Sequence, residues 1–309
     1  MSLRPEPVLY DGDVVLRCQQ VSAGDAVSFL VDHQGRAAGT VKVRQTGSGN
    51  GVLSWTVWPD HRGQGLGRRA MALLIRYAFD ELGLHRVVAY IDPQDEASLL
   101  TAGRAGLRRE GLVRGSEETE DKGSDNHGAQ RQDRVQLARL ATDPEPTSRE
   151  GFIGVLNAGL PTKRLIAQGL IHNNANEILL CELTYKQEWD LPGGVVDPHE
   201  SPAQAVNREI REELHVDVLA QSLVAVNWLP RWRGWDDAVL FVFDLGVDDQ
   251  VIARAQLEPR ELRSLHWCTR EQIAEHAAPY LTRMLSSLEH LSEATAYLED
   301  GTEPSRRAW

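Results

Sequence analysis

Apolar and polar residues alternate at 14–18, 38–44 and 51–58, the period of a half-buried strand, and predict three strands there. A helical period follows near 66–82, then a strand-like run at 86–91 and a second helical stretch near 96–105. Residues 116–133, "SEETEDKGSDNHGAQRQD", carry no apolar period. Because "RVQLARLATD" after them reads as a strand, they predict a long loop before a final strand rather than a linker. The pattern then resumes with a short apolar helix near 150–158 and strands at 164–172 and 177–183. A helix at 202–214, strands around 219–228 and 238–244, and a helical C-terminus complete it.

Two prolines and small polar residues in "ATDPEPTSREG", residues 141–151, separate the two patterned regions. The expected domains are therefore 1–143 and 144–309, which suits 309 residues at about 100–200 per domain. Each mixes strands and helices, so the fold class is α/β (α+β) in two domains.

Net charge changes the list of partners. A value of -12 argues against a nucleic-acid polymer, whose binding rests on neutralising phosphates. Small phosphorylated ligands stay open, because backbone N–H groups and metal ions can hold them. No apolar run nears the roughly 18 residues of a membrane span, and "MSLRPEPVLYDGDVVLR" has no signal-peptide pattern. Cys18, Cys181 and Cys268 are scattered without a CxxC, which points to a reducing, cytoplasmic compartment.

The strongest chemical signal is "GGVVDPHESPAQAVNREIREELHV", residues 193–216. Ser201 and Gln204 form a capping-box pattern with Pro202 at the first helical position. Glu209, Glu212 and Glu213 then fall at i, i+3 and i+4 on one helix face. A solvated face bridged by Arg208 and Arg211 is one reading. Three carboxylates converging on a hard divalent cation is the other, with Gly193 and Gly194 allowing close backbone approach and Glu200 facing the same centre.

The order Gly194, Glu200, Arg208-Glu209-Ile210, Glu212-Glu213 resembles the Nudix hydrolase signature, and the resemblance extends over about 160–285. It implies an α/β/α sandwich and cleavage of a nucleoside diphosphate linked to another moiety. By position it implies that Glu209, Glu212 and Glu213 bind Mg2+ or Mn2+, that the Gly194 carbonyl is a further ligand, and that Arg208 orients the acids. The general base is either a helix glutamate or one on a later loop, where Glu258 and Glu261 are both candidates. His215 stands where the family has a left-handed glycine, at a cost of about 1 kcal/mol. Trp228, Trp232 and Trp235, near Arg231 and Arg233, suit either base stacking with phosphate contact or ordinary packing. Pro230 lies close to where ADP-ribose-cleaving members carry a proline.

In the first half, "RGQGLG" precedes a helical pattern, and glycines at such a turn let N–H groups approach a pyrophosphate. With "YIDPQDEASLLTAGRAGLRREGLVRG" after it, the stretch resembles the GNAT acetyltransferases over about 8–141. The resemblance implies a mixed sheet with helices, and acetyl-CoA held at Arg62, Gly63, Gln64, Gly65, Leu66, Gly67 and Arg68. It departs on the acceptor side. Only "CQQVSAGDAVSFL" replaces the two helices that wall the amine pocket, Asp95 replaces an asparagine, and Ala102 replaces a thiolate-protonating tyrosine. His61 and Asp60 are the nearby titratable groups. Two expectations follow: an acetyl-CoA-binding half that acetylates an amine, or an acetyl-CoA sensor or scaffold beside a single catalytic half.

Overall fold

The computed structural model describes residues 7–22, 26–47, 49–116, 131–290 and 294–304. The chain divides into two compact units, Met1–Pro161 and Thr162–Trp309.

The first unit opens with a meander of β1 (Val8–Asp11), β2 (Val14–Ser22), β3 (Ala26–His33), β4 (Arg36–Gln45) and β5 (Asn50–Val57). A 3-10 turn at Pro59–His61 leads to α1 (Leu66–Asp80), β6 (Arg86–Ile91), α2 (Glu96–Arg104), β7 (Arg108–Ser116), β8 (Gln132–Leu140) and α3 (Arg149–Gly159). One sheet runs β1-β2-β3-β4-β5-β6-β8-β7, with β5 and β6 parallel and the other neighbours antiparallel. α1 buries Leu66, Ala70, Met71, Leu74 and Tyr77 in the same core as Val14, Leu16, Phe29, Val31, Val41 and Val43, and Phe29 meets Tyr77 edge-on at 5.2 Å. Arg69, on α1, ties this helix to the first hairpin. Its Nε donates to Asp11 Oδ2 at 2.8 Å and its Nη1 to Asp13 Oδ1 at 2.8 Å.

Two differences from the sequence expectation matter. The segment expected as a mere connection between the strands at 14–18 and 38–44 instead forms the end of β2 and all of β3, with Val27, Phe29 and Val31 facing the core. The helix expected with the second domain is present as α3 but packs on α2 and β7. A Cβ on Gly154 would lie 2.6 Å from the Arg108 guanidinium, which itself pairs with Asp143, and Arg139 pairs with Glu145. These contacts hold residues 141–159 on the first unit, so the expected boundary at 143/144 lies inside it and the chain divides at 161/162. The final strand of that domain is β8, while most of the expected loop at 116–133 lies outside the described residues.

The second unit contains β9 (Arg164–His172), β10 (Ile178–Leu183), β11 (Gly193–Val195), α4 (Pro202–Leu214), β12 (Ser222–Leu229) and β13 (Ala238–Val247). It continues with α5 (Val251–Arg254), β14 (Leu262–Cys268), α6 (Arg270–His276), α7 (Pro279–His290) and β15 (Ala296–Glu299). The sheet order is β14-β10-β9-β13-β12-β15, with β11 paired to β9. Ala167 and Ile171 of β9 share one core with α4, and Leu170 of the same strand shares the other with α6 and α7. Helices on both faces make the expected α/β/α sandwich. β11, β14 and β15 were not anticipated, being short or lacking clean alternation. Among the described residues, no helix is long and apolar enough to cross a membrane.

α4 begins and ends for local reasons. Ser201 Oγ accepts from Gln204 N at 3.3 Å, and Gln204 Oε1 accepts from Ser201 N at 2.9 Å, the reciprocal box that satisfies two orphan donors. His215 closes the helix in the left-handed region, φ 55° and ψ 33°, and its Nδ1 bonds the Gln256 carbonyl oxygen at 2.8 Å. That bond, worth about 0.5–1.5 kcal/mol, offsets the roughly 1 kcal/mol a non-glycine residue loses in this conformation.

Chemical denaturation therefore distinguishes two variants. His215→Ala keeps the strain without the bond and is expected to lose about 1 kcal/mol, whereas His215→Gly loses both and stays within about 0.5 kcal/mol of wild type. In the first unit, the Asp13 carboxyl is held well below the usual range, first by Arg69 and then by Gln34 and His33. A depressed carboxyl contributes stability above its unfolded value of about 4 and loses it as pH falls through the folded value. Asp13→Asn should lower the melting temperature at pH 7, and the gap to wild type should narrow below about pH 4.

Candidate functional sites

The carboxylates of α4 meet the turn that carries β11. Gly193 adopts φ +128°, and a Cβ there would sit 2.2 Å from the Ala167 carbonyl oxygen, so only glycine lets β11 close on β9. A Cβ on Gly194 would reach 2.6 Å from the Glu209 carboxyl carbon, which places that carboxylate directly against the backbone. Gly193 N donates to Glu213 Oε2 at 3.3 Å.

Arg208 holds the acids together. Nη2 and Nε reach Glu200 Oε1 and Oε2 at 2.7 and 3.2 Å, and Nη1 reaches Glu209 Oε1 at 3.0 Å and Glu212 Oε2 at 2.9 Å. Nη2 also donates to the Val195 carbonyl oxygen at 3.1 Å. The fork drives the Glu200 carboxyl below its ordinary range, and the guanidinium is raised, first by its bond to Glu200.

Burial dominates deeper in. Glu213 is buried, and loss of water pushes its carboxyl up to about 8, reinforced by the charges of Glu209, Glu261 and Asp190 and opposed by the Gly193 bond. Burial raises Glu209 too, against the pull of Arg208. Around Arg208 and the Gly193–Gly194 turn the structure sets Glu209, Glu212 and Glu213, with Glu212 at the exposed end (side chain 61% accessible). Of the two later-loop candidates, Glu261 acts on both Glu209 and Glu213, while Glu258 Oε1 accepts from Arg260 N at 3.3 Å. Asp190 was not foreseen. It is buried, bonds Lys186 and Leu191 N, and accepts from Tyr280 Oη at 3.2 Å; its one signal was an acid inside the apolar "WDLPGG".

Among the described residues, no three His, Cys, Asp or Glu side chains stand close enough as placed to hold a metal ion. Arg208 engages Glu209 and Glu212 instead. The donor set nevertheless fits a hard divalent cation. Every candidate donor is oxygen, Glu209 abuts the Gly194 backbone, and the buried Glu213 carboxylate accepts from Gly193 N beside it.

In the first unit, Gly63 and Gly65 take φ +76° and +74°, and Gly65 caps α1 without any side-chain bond to its first N–H groups. Arg62 Nε donates to the Val57 carbonyl oxygen at 3.2 Å, Gln64 Nε2 to that of Asp60 at 3.4 Å, and Leu66 is buried. Gly67 approaches α2, where a Cβ would stand 3.2 Å from Thr101 Cγ2, and Arg68 is exposed. β5 and β6 pair only from Asn50↔Arg86 to Val52↔Val88 and carry on unpaired with each other beyond it. On the acceptor side, β2 and β3 pair antiparallel from Val14↔His33 to Ser22↔Ala26. Ala102 is fully buried, Asp95 Oδ1 caps α2 through Ser98 N at 3.0 Å, and His61 ends the 3-10 turn.

Known proteins resemble each unit separately. The NUDIX domain family matches residues 162–288, and the Acetyltransferase (GNAT) domain family matches residues 13–108. The chain is 39% identical over 54 residues to "Probable N-acetyltransferase YjcK" of Bacillus subtilis (strain 168), covering 18% of this chain and 30% of that protein. It is 33% identical over 63 residues to the 8-oxo-dGTP diphosphatase of Proteus vulgaris, covering 19% of this chain and 56% of that one. Among solved structures it resembles the MutT protein from Methanosarcina mazei Go1, at 24% identity, 43% and 97% coverage and a TM-score of 0.38. Thus the chain spans about a third and about half of the two curated relatives. The chain thus carries a GNAT acetyltransferase domain in its first unit and a NUDIX domain in its second.

Proposed function

We propose that the second unit hydrolyses the diphosphate linkage of a nucleoside diphosphate derivative with Mg2+ or Mn2+, and that the first unit binds acetyl-CoA. The seating of Glu209 against Gly194, with Glu213 buried beside it, carries the hydrolase reading. A divalent ion at such carboxylates supplies positive charge to phosphate oxygens and acidity to a bound water. Glu209, Glu212 and Glu213, with the Gly194 carbonyl, would hold it. Arg208 keeps Glu200, Glu209 and Glu212 in one arrangement, and a helix glutamate or one of Glu258 and Glu261 takes the proton. The diphosphatase relative puts purine nucleoside triphosphates among the substrates to try. The scattered cysteines fit a cytoplasmic setting.

For the first unit, the left-handed turn at Gly63 and Gly65 ahead of α1, beside the parted β5 and β6, supports acetyl-CoA binding at residues 62–68. One observation favours a second reading, in which this unit senses or scaffolds without transferring the acetyl group to an amine. The β2–β3 hairpin stands where an acceptor wall is expected, and buried Ala102 offers no proton to a thiolate.

Incubation with Mg2+ and a panel of nucleoside diphosphate and triphosphate derivatives, followed by mass, should show turnover that a chelator abolishes and added Mg2+ restores. Glu212→Gln should lower kcat by at least about 100-fold, no less than the loss of an outer partner of a metal ligand. Turnover indifferent to both changes would overturn the metal reading. Labelled acetyl-CoA should bind wild type and fail to bind Gly65→Val, whose side chain strains the left-handed turn. Labelled product with an amine panel would select transfer, and retained binding without product would select the sensor.

A further inference from the structure

Residues 184–192, between β10 and β11, form a strap tied down along its length. At its start, Thr184 N donates to the Glu261 carbonyl oxygen at 2.9 Å and Thr184 Oγ1 to that of Arg260 at 2.6 Å. At its end, the Pro192 carbonyl oxygen accepts from Gly169 N at 2.9 Å, and Gly193 and Gly194 then pair with Gln168 and Ala167 of β9. The strap thus links the loop of Glu261 to the glycine pair against which Glu209 and Glu213 rest.

Its later part is held from the other face of the sheet, where α6 and α7 pack. The Trp189 indole lies between the rings of His266 and His276, with centroids at 4.0 Å on each side, and Trp189 N donates to the His276 carbonyl oxygen at 2.9 Å. Asp190 exchanges two backbone bonds with Cys181 of β10, at 2.8 and 3.1 Å. Its carboxylate is 6% exposed. Leu191 N donates to Oδ1 at 3.0 Å and Lys186 bonds Oδ2, while Tyr280 Oη, in the first turn of α7, stands 3.2 Å from Oδ1 and 3.5 Å from Oδ2.

A buried carboxylate needs a cation and hydrogen bonds, and Lys186 with Leu191 N already supplies both. Tyr280 adds a donor from a separate helix whose other buried residues, Leu281, Met284 and Leu285, are apolar. The effect is felt along the chain that follows. Leu191 N is held by the Asp190 side chain, and the Leu191 carbonyl oxygen accepts from Gln168 Nε2 at 3.3 Å. Pro192 is held by Gly169 N, and Gly193 N reaches Glu213 Oε2 at 3.3 Å. A shift of the Asp190 carboxylate therefore passes directly into the turn under the acids.

We propose that Tyr280 is a positioning residue for the acidic site: by holding the Asp190 carboxylate it fixes the Leu191–Gly194 turn, and with it the backbone that Glu209 and Glu213 rest on. The role rests on the hydrolase reading for its purpose, and Tyr280 acts through Asp190. Loosening the turn leaves the acids on α4 but frees the backbone opposite them, so metal affinity falls.

Two measurements on the whole chain test this. The first is native-state hydrogen exchange of the metal-free protein, read by NMR. Tyr280→Phe keeps the ring and removes the donor, and its Leu191 and Gly193 amides should exchange about tenfold faster than in wild type, the size expected for one hydrogen bond to a charged group. Amides of the β12–β13 ladder should keep their wild-type rates. The second is Mn2+ titration followed by electron paramagnetic resonance. Tyr280→Phe should weaken Mn2+ binding about tenfold, the loss typical of an outer partner of a metal site. Asp190→Ala should weaken it at least as much, and adding Tyr280→Phe to Asp190→Ala should cost nothing further. Leu285→Ala, a core truncation of the same helix, should lower the melting temperature and leave Mn2+ binding as in wild type. In turnover, Tyr280→Phe should lower kcat with KM little changed.

Unchanged exchange at Leu191 and Gly193, or exchange raised equally in β12–β13, would overturn the positioning role. So would Mn2+ binding weakened as much by Leu285→Ala as by Tyr280→Phe. If wild type binds Mn2+ and Tyr280→Phe binds it equally, this role alone falls. If wild type binds no Mn2+, the metal-dependent hydrolase reading falls and takes the role with it.

Discussion

One guanidinium organises the second unit. Arg208 lies on the same helix as the acids it serves, yet its partners come from three places: Glu200 before the helix, Glu209 and Glu212 on it, and the Val195 carbonyl of β11. Without it, the loop of residues 196–201 would have no charged tie to α4, and three carboxylates would face one another across a short distance. Like charges on a helix cost only a few tenths of a kcal/mol at a wet surface. The cost rises where water is excluded, which is why Glu213, out of reach of Arg208, has its carboxyl pushed up to about 8. The site is thus graded, from the Glu200 carboxyl held low by an arginine to the Glu213 carboxyl raised by burial.

The scaffold around this centre is built to keep it fixed. α4 is clamped by a reciprocal cap at its start and by a hydrogen-bonded left-handed residue at its end, while Ile210 and Leu214 are buried in the core beneath. β11 contributes only three residues, but they pair with β9, which is covered on both faces. The glycine turn of the first unit is supported differently. There α1 is held by its apolar face and by the Arg69 pair with Asp11 and Asp13, leaving its first N–H groups without side-chain caps. A helix so anchored from its sides can present its N-terminus to an anion.

Much of the acidic site was legible because its logic is local. Helix bounds at 202–214, the capping box and the shared face of Glu209, Glu212 and Glu213 all follow from spacing within one element. What needed tertiary contacts was not legible. Asp190 and Glu261 reach the cluster from other loops, and nothing in their own neighbourhoods separates Glu261 from Glu258. β3 hid because Leu30, between core Phe29 and Val31, blurs the alternation, and because its neighbouring residues are polar. α3 was assigned to the wrong side of the prolines for a related reason. Punctuation marks where a chain turns, whereas the packing of Gly154 on Arg108 decides which core it joins.

The glycine pair has a consequence for how the sequence can drift. Gly193 is held by conformation, and Gly194 by the carboxylate pressed against it. The two demands differ in kind, since a Cβ at Gly193 meets backbone as well as strain, while one at Gly194 meets a carboxylate that must move from its seat. Gly193 is therefore the residue of the pair with no substitute. Its neighbour in role, His215, is free to wander to glycine and back, because a hydrogen bond there stands in for conformational ease. Constraint in this site falls on the backbone at Gly193 as well as on the acids.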